Sequence, residues 1–501
     1  MKRASTLDFR IVLSLFLSLI PTASWAQGTS AAAITGTVKD TSGAVLPGVT
    51  VEASSPALIE RVRNSVTDDQ GQYRIAELRP GLYTVTFSLP GFGAFKREGL
   101  DLPSSFTATL NVELSVGGVQ ETVTVSGETP LVDVQNVSAQ KSIPKAVLDA
   151  VPTGKGIYGF VSLMPAAIAP TSNQDVGGSL GDSTMRITVH GSKGDDAKLA
   201  IDGLSYNLTN ANGTARQFFV NPLSAQEIVI DTGSGGSAEW GVGGAIVNQI
   251  SRDGGNVFSG TLFGAGSVDA LQSDNLTDEL RAQGLTSADK NLRIYDVNAV
   301  LGGPIVRNKL WFVTAHRRHG QAARIANLYE DANLAARTFG APAAVWKYAP
   351  DFSRPVDPAE DNQAHNFRVN WQVSPKDKIN ASYDWEWNRN QNNIKQLNSG
   401  GLAWEANSVG GQYRCGVEHL FQATWTRTAT NRLLFEGGWN FIHHEGGTFP
   451  DACIVTPGRI NIRDVGTNFI YNGVGVVGSI DSQGPTNQRF SASYVTGAHI
   501  F

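Results

Sequence analysis

Few residues in this 501-residue chain have the type and spacing for chemistry. His316 and His319 form an H-x-x-H pair, one residue short of the H-E-x-x-H spacing by which a helix sets two histidines on a metal beside a glutamate. Here the glutamate is missing, and the pair falls near the end of a run, KLWFVTAHRR, that predicts a strand. Zinc-peptidase chemistry is therefore not expected. Cys415 and Cys453 are the two cysteines. They cannot build a disulfide framework or a four-thiolate zinc site, and they lie far from any C-x-x-C spacing, so they make at most one bridge. No catalytic set emerges, and the chain is expected to be neither an enzyme nor the holder of a cofactor or metal.

Composition narrows the classes further. Charged residues make up 17% of the chain, below the usual value of about 25%, and 54 glycines raise glycine to about 11% against about 7%. This is a turn-rich, β-rich texture. Forty Lys plus Arg against 45 Asp plus Glu leaves −5, without long runs of one sign, so a nucleic-acid partner is not expected.

At the N-terminus, Lys2 and Arg3 precede the apolar run Ile11 to Ile20, and Ser24-Trp25-Ala26 supplies small residues for cleavage. Residues 1–26 read as a secretory signal peptide, since the apolar run is too short for the ~20 residues of a spanning helix. No later stretch has 18 uncharged apolar residues, so membrane integration would need a barrel.

From about Ala33 to Leu114, short alternating runs such as ITGTVKD, VTVEAS and LYTVTFS are separated by Gly, Pro and Asp. Seven strands in about 80 residues predict an antiparallel β-sandwich, with Val49, Val51, Tyr73, Ile75, Tyr83, Val85 and Phe87 facing inward. The wording GTVKDTSGAVLPGVTVEA, then VTDDQGQYRIAELRPGLYTVTFSLPGF, resembles the carboxypeptidase regulatory-like domain, a transthyretin-like sandwich. Its span is 27–115.

From about Val116 to Val257 the chain is polar and glycine-rich, with short helices expected at Lys145 to Val151 and Gly156 to Leu163. Asp202-Gly203 in IDG is a hairpin signal, because both residues tolerate the positive φ of a type I′ turn. Ile228, Val229, Ile230, Ile246, Val247 and Ile250 are too apolar for a solvated linker. The series MRITVHGSKGDDAKLAIDGLSYN, EIVIDTGSGGSAEWGVGGAIVNQ and ISRDGGNVFSG resembles the plug domain of TonB-dependent outer-membrane receptors. That resemblance implies that Asp202, Gly203, Glu227, Gly241, Gly244 and Asn248 hold the gate of a 116–257 plug segment. One departure is His190-Gly191-Ser192, which stands where relatives show Asn-Gly-Gln or Arg-Gly.

Between sandwich and plug, Glu121, Thr122, Val123, Thr124, Val125 and Ser126 alternate β-branched residues as a segment suited to strand addition on a sheet edge. The same run also reads as a last strand of the sandwich. It resembles the TonB box, which implies the TonB energy-coupling complex as partner.

Beyond Phe258 the strands lengthen. HNFRVNWQV sets Phe367, Val369, Trp371 and Val373 against Arg368 and Asn370, and INASYDWEWN sets Tyr383, Trp385 and Trp387 against Asp384 and Glu386. Aromatic-polar alternation over nine to eleven residues, with short turns at one end, fits a transmembrane β-barrel whose polar face lines a wet lumen and also fits a soluble sandwich; the signal peptide and the plug resemblance decide for the barrel. About eight strands are expected in 258–501. An eight-stranded barrel is filled by its own side chains and cannot hold a plug, so the chain reads as the N-terminal part of a longer protein with an incomplete barrel. Cys415 and Cys453 fall in or beside expected extracellular loops, where a loop-to-loop disulfide is favoured over metal binding.

Together these stretches resemble the Oar-like subgroup of TonB-dependent receptors. The expected fold class is mainly β: signal peptide, sandwich, α+β plug, and the start of an antiparallel membrane barrel. The implied function is import of a nutrient across the outer membrane by energy-coupled plug remodelling, with outer-membrane lipid and an extracellular ligand as partners. Trp346, Trp404 and Tyr413 in loops favour a glycan or peptide ligand. The alternative is a surface adhesion or assembly protein on the same scaffold without transport.

Overall fold

Period-two burial marks the strands that have one solvated or lipid-facing side, and the strands sort into two sandwich sheets, a plug sheet and a long wall. The computed structural model describes residues 32–117, 123–126, 140–151, 157–168, 187–207, 221–232, 244–391, 403–404, 413–449, 462–464, 469–471, 481–496 and 499–500, with interruptions of one to three residues in the longer runs. The expected signal peptide, Gly241 and Cys453 lie outside the described residues.

The sandwich contains β1 (Ala32–Asp40), β2 (Thr50–Ser54), β3 (Val62–Val66), β4 (Gln72–Leu78), β5 (Gly81–Ser88), β6 (Phe95–Leu102), β7 (Thr107–Thr109) and β8 (Val112–Leu114). One sheet is ordered β4-β1-β7 with β8 also on β1, and the other runs β3-β2-β5-β6. All seven inward candidates are at most 2% exposed. Each such side chain contributes about 1.5–3 kcal/mol by leaving water, and the polar tips are satisfied: Tyr73 donates to the Leu110 carbonyl at 2.8 Å and Tyr83 to that of Arg79 at 2.7 Å. SGAVLPG makes only an isolated bridge, Lys39 to Val45, while the charged run FKREGLDL forms β6.

The plug sheet is built from β10 (Gln140–Pro144), β13 (Lys198–Ile201), β14 (Leu204–Ser205), β15 (Ala225–Asp231) and β16 (Ile246–Ser251), in the order β10-β15-β16-β13-β14. A small pair, β11 (Ala167–Ile168) with β12 (Thr188–Val189), lies beside it. Helices Lys145–Ala150 and Ile157–Val161 stand where expected, and their Leu148, Phe160 and Val161 pack with Ile228, Ile230 and Val247 of the sheet. Leu420 and Ile442 of the wall join the same core, so plug and wall share apolar surface.

The wall runs β17 (Ser259–Val268), β18 (Lys290–Val306), β19 (Leu310–Arg324), β22 (Ala359–Ser374), β23 (Asp377–Gln391), β25 (Tyr413–Thr428), β26 (Leu433–Phe449), β30 (Thr486–Thr496) and β31 (His499–Ile500), with β29 (Asp481–Gln483) also on β26. The eight expected strands are present, and β29 and β31 bring the sheet to ten. Among the described residues β17 and β31 are its edges, and the sheet is open. Strands β18 and β26 reach 17 residues, against the 9–11 that cross a bilayer, so they extend past the membrane into segments read as loops. Those segments also hold β20 (Tyr329–Asp331) paired with β21 (Pro350–Pro355), and a small sheet of β24 (Ala403–Trp404), β27 (Ile462–Asp464) and β28 (Phe469–Tyr471). Cys415 lies within β25 rather than in a loop.

Strand alternation assigns the two faces of the wall. Phe367, Val369, Trp371, Val373, Phe421, Trp439 and Phe490 are exposed, whereas Arg368, Asn370, Asp384, Glu386, Glu418 and Asn440 are buried on the other side. A sheet that shows its aromatics and hides its charges is built for lipid outside and polar content within. No described helix is long and apolar enough to cross a membrane.

Candidate functional site

The plug hairpin β13–β14 turns at Asp202 and Gly203, whose φ values of 49° and 79° are the paired positive angles of a type I′ turn. Asn248 on β16 accepts from the Gly203 backbone N–H at 3.0 Å, and the Asp202 carboxylate accepts from the Ser251 N–H at 2.9 Å. The turn is thereby braced by its own sheet. Wall side chains then grip it from outside. Gln422 donates to the Ile201 carbonyl at 3.0 Å, and Asn440 and Asn487 donate to the Ser205 carbonyl at 2.7 and 2.8 Å.

Arg368 supplies the charged contact. Its Nη1 lies 2.7 Å from Asp202 Oδ2 and its Nε lies 3.1 Å from Asp253 Oδ1. Asp253 follows the last plug strand and precedes the first wall strand. It also receives Asn370 Nδ2 at 2.6 Å, Lys378 Nζ at 3.3 Å and Arg79 Nη2 of the sandwich at 3.0 Å. Lys378 reaches Glu77 of the sandwich at 3.8 Å. Three cations, Arg79, Arg368 and Lys378, thus meet three anions, Glu77, Asp202 and Asp253, at the point where sandwich, plug and wall touch. Burial pushes the Asp253 carboxyl up, but the opposing charges of Lys378, Arg79 and Arg368 outweigh it and hold the group well below the ordinary carboxylate range. A hub of this kind fixes geometry tightly, because removing one partner strands a buried charge.

A second contact lies at the wall's short turns. Arg432 Nη2 sits 2.7 Å from Asp68 Oδ2 and 2.9 Å from Gln70 Oε1, and Asn431 donates to the Val66 carbonyl at 2.7 Å. These turns therefore face the sandwich. Further along the plug, Asn221 and Asn298 exchange amide hydrogen bonds at 2.9 and 2.6 Å between plug and wall.

The structure brings some expected residues together and leaves others apart. Asp202, Gly203, Asn248 and Arg368 belong to one cluster, and Asn370 joins it through Asp253. Glu227 is fully buried in β15, where Ser142 of β10 donates to it, away from the hub. Gly244 is packed so closely that an added Cβ would stand 2.6 Å from the Asp196 backbone. Asp384 accepts from Asn366 at 2.6 Å, and Glu386 is 1% exposed. Arg368 and Asn370 are taken up by the plug rather than left to line open water. His316 and His319 lie within β19, not near its end, and their alternation puts His319 fully buried and His316 on the opposite face.

The described part of the TonB-box-like segment pairs as a last strand of the sandwich, the second of its two sequence readings. Val123–Ser126 forms β9, parallel to β6 at the edge of the second sandwich sheet, with Phe95 opposite Val123 and Glu98 opposite Ser126. Glu121 and Thr122 lie outside the described residues.

Asp253, Arg79, Lys378, Gln422, Asn440 and Asn487 were not singled out by sequence. The wall residues carry one usable signal, the inward parity of polar residues in an amphipathic strand. Arg79 carries none.

Residues 33–115 match the carboxypeptidase regulatory-like domain family. Over 307 residues the chain is 33% identical to the TonB-dependent transporter Oar of Myxococcus xanthus. Over that stretch the chain is similar to Oar. The match takes in 59% of this chain and 27% of Oar, so the chain spans about a quarter of that relative's length. Among solved structures, the outer-membrane transporter YddB of Escherichia coli aligns with a TM-score of 0.48 at 12% identity, covering 71% of this chain and 45% of that one. The siderophore receptor PirA of Acinetobacter baumannii aligns at 0.44 and 13%, with the same coverage. With such a relative and a wall that is apolar on its exposed face, this Oar-like chain is an outer-membrane β protein.

Proposed function

We propose that this Oar-like chain serves a TonB-dependent importer in which pulling on the segment Glu121 to Ser126 remodels the plug. The observation that carries the reading is the Asp253 hub, since one carboxylate joins the sandwich that holds this segment, the plug hairpin and the barrel wall. The division we favour is a leader at 1–26, a sandwich at 27–115, a TonB-box-like segment and plug at 116–257, and barrel wall at 258–501. Outside the inner membrane no nucleotide pool supplies energy, so work must arrive mechanically. Strand addition suits that task, because backbone hydrogen bonds transmit tension without demanding particular side chains. The device is a carrier and not an enzyme.

The aromatics Trp346, Trp404 of β24 and Tyr413 at the start of β25 support a glycan or peptide cargo, since flat rings stack on sugar and side-chain faces. The deciding experiment measures capture of TonB by outer-membrane fractions with and without residues 121–126, together with growth on candidate glycans and peptides as sole nutrient. Box-dependent capture with box-dependent growth is the expected result. Surface binding of a ligand that survives box deletion, without capture, would instead establish an adhesin.

A further inference from the structure

The exposed face of the wall carries a cross-strand row that the transport reading does not use. Register places His316 opposite His365, His365 opposite Trp385, Trp385 opposite His419, and His419 opposite His443, on five consecutive strands. On the side of the short turns lies the apolar level of Phe367, Tyr383, Phe421 and Phe441. On the other side charges begin, with Arg318 paired to Asp361 at 2.8 Å. His316 is eight residues from the turn at Asn308, which is about 26 Å of strand and, at a tilt near 40°, about 20 Å of height. An apolar band is about 25 Å tall, so the row sits at its outer margin, within reach of water.

Within this row His316 and His365 differ from the rest. Their Nδ1 atoms are 2.8 Å apart. Thr314 settles the proton positions: its hydroxyl lies 3.0 Å from the Asn366 carbonyl, to which it donates, and 2.8 Å from His316 Nε2. With its one proton spent, Thr314 must accept from His316, so Nε2 carries the hydrogen and Nδ1 presents a bare lone pair. His365 then donates from its own Nδ1, and moving that proton to its Nε2 frees a second lone pair beside the first. Both rings are braced, His365 stacked on Trp385 at 5.2 Å and His316 edge-on to Phe367 at 5.4 Å. Two imidazole nitrogens bound at 2.0–2.1 Å and at right angles stand about 2.9 Å apart, against about 3.4 Å in a tetrahedral site. The observed spacing matches the right-angled arrangement.

We propose that His316 and His365 form a two-imidazole site for a divalent transition ion of tetragonal preference, Cu(II) or Ni(II), on the outer margin of the wall. Water completes the coordination, and Thr314 orients the first ligand, as outer partners of metal-bound histidines do. The second pair, His419 and His443, does not qualify: the rings stack at 5.9 Å, and His419 Nδ1 is engaged by the Tyr383 hydroxyl at 2.8 Å.

The test is titration of untagged full-length protein in detergent with Cu(II) and then Ni(II), followed by calorimetry and, for copper, electron paramagnetic resonance, with heat-modifiable migration as the check on folding. One ion per chain with a two-nitrogen signal is expected. His316→Gln and His365→Gln should each reduce binding to background. Thr314→Val should weaken it about 10- to 100-fold, and His419→Gln with His443→Gln should leave it unchanged. Absence of binding, or binding indifferent to His316→Gln and His365→Gln in folded protein, would overturn the assignment.

Discussion

Arg368 on the wall and Asp202 at the tip of the plug hairpin are 166 residues apart in the chain, and their Nη1 and Oδ2 atoms are 2.7 Å apart. Arg368→Met should free the hairpin while leaving Asp202 and Asp253 buried beside fewer cations, at a cost of about 3–5 kcal/mol. Urea-dependent proteolysis of the plug in intact membranes reads this directly. An unchanged urea midpoint would show that the hub does not hold the plug.

Acid should loosen the same hub. Because the folded Asp253 carboxyl lies below its unfolded value near 3.9, its contribution is complete above about pH 5 and declines as the pH falls below about 4. Asp253→Asn should flatten that acid limb. The idea fails if wild type and variant lose plug protection along the same pH curve.

The contact between Arg432 and Asp68 is a weaker latch, with side chains 25% and 26% exposed. Arg432→Ala should cost no more than about 1 kcal/mol. It should raise protease access to the Asp68 turn while leaving the unfolding midpoint of the wall in place. A large drop in that midpoint would contradict the small value.

Glycine replacements separate turn from packing. Gly203→Ala places a side chain at φ 79° and beside Arg489, so the hairpin tip should distort. Gly244→Ala pushes against the Asp196 backbone and should loosen the parallel β13–β16 pair. Amide exchange should quicken at the hairpin tip in the first variant and along β13 and β16 in the second. Identical exchange maps would refute the distinction.

Strand β9 can be locked in place. Arg97 and Val125 are register partners, so Arg97→Cys with Val125→Cys, in a background with Cys415→Ser and Cys453→Ser, should allow a crosslink. Oxidation should abolish TonB capture and reductant should restore it, if the segment must leave β6 to engage its partner. Capture that persists in the crosslinked protein would mean that the free edge of β9 is sufficient.

Much of the architecture was legible locally. Period-two alternation marked the eight main wall strands and the inward sandwich residues from Val49 to Phe87, and Asp202-Gly203 announced its own turn, because these features depend on neighbours within a few residues. Partnership did not follow from such patterns. Arg79, Asp253 and Lys378 look in sequence like ordinary solvated charges, and only the docking of sandwich, plug and wall joins them with Arg368, Glu77 and Asp202 in one neutral cluster. The segment at Val123 alternates as an unattached strand would, yet the open edge of β6 claims it. His316 shares a motif with His319, but a strand sends the two to opposite faces, and cross-strand register gives His316 its true neighbour, His365. Chemistry that depends on distance between strands is set by long-range pairing, which local composition does not encode.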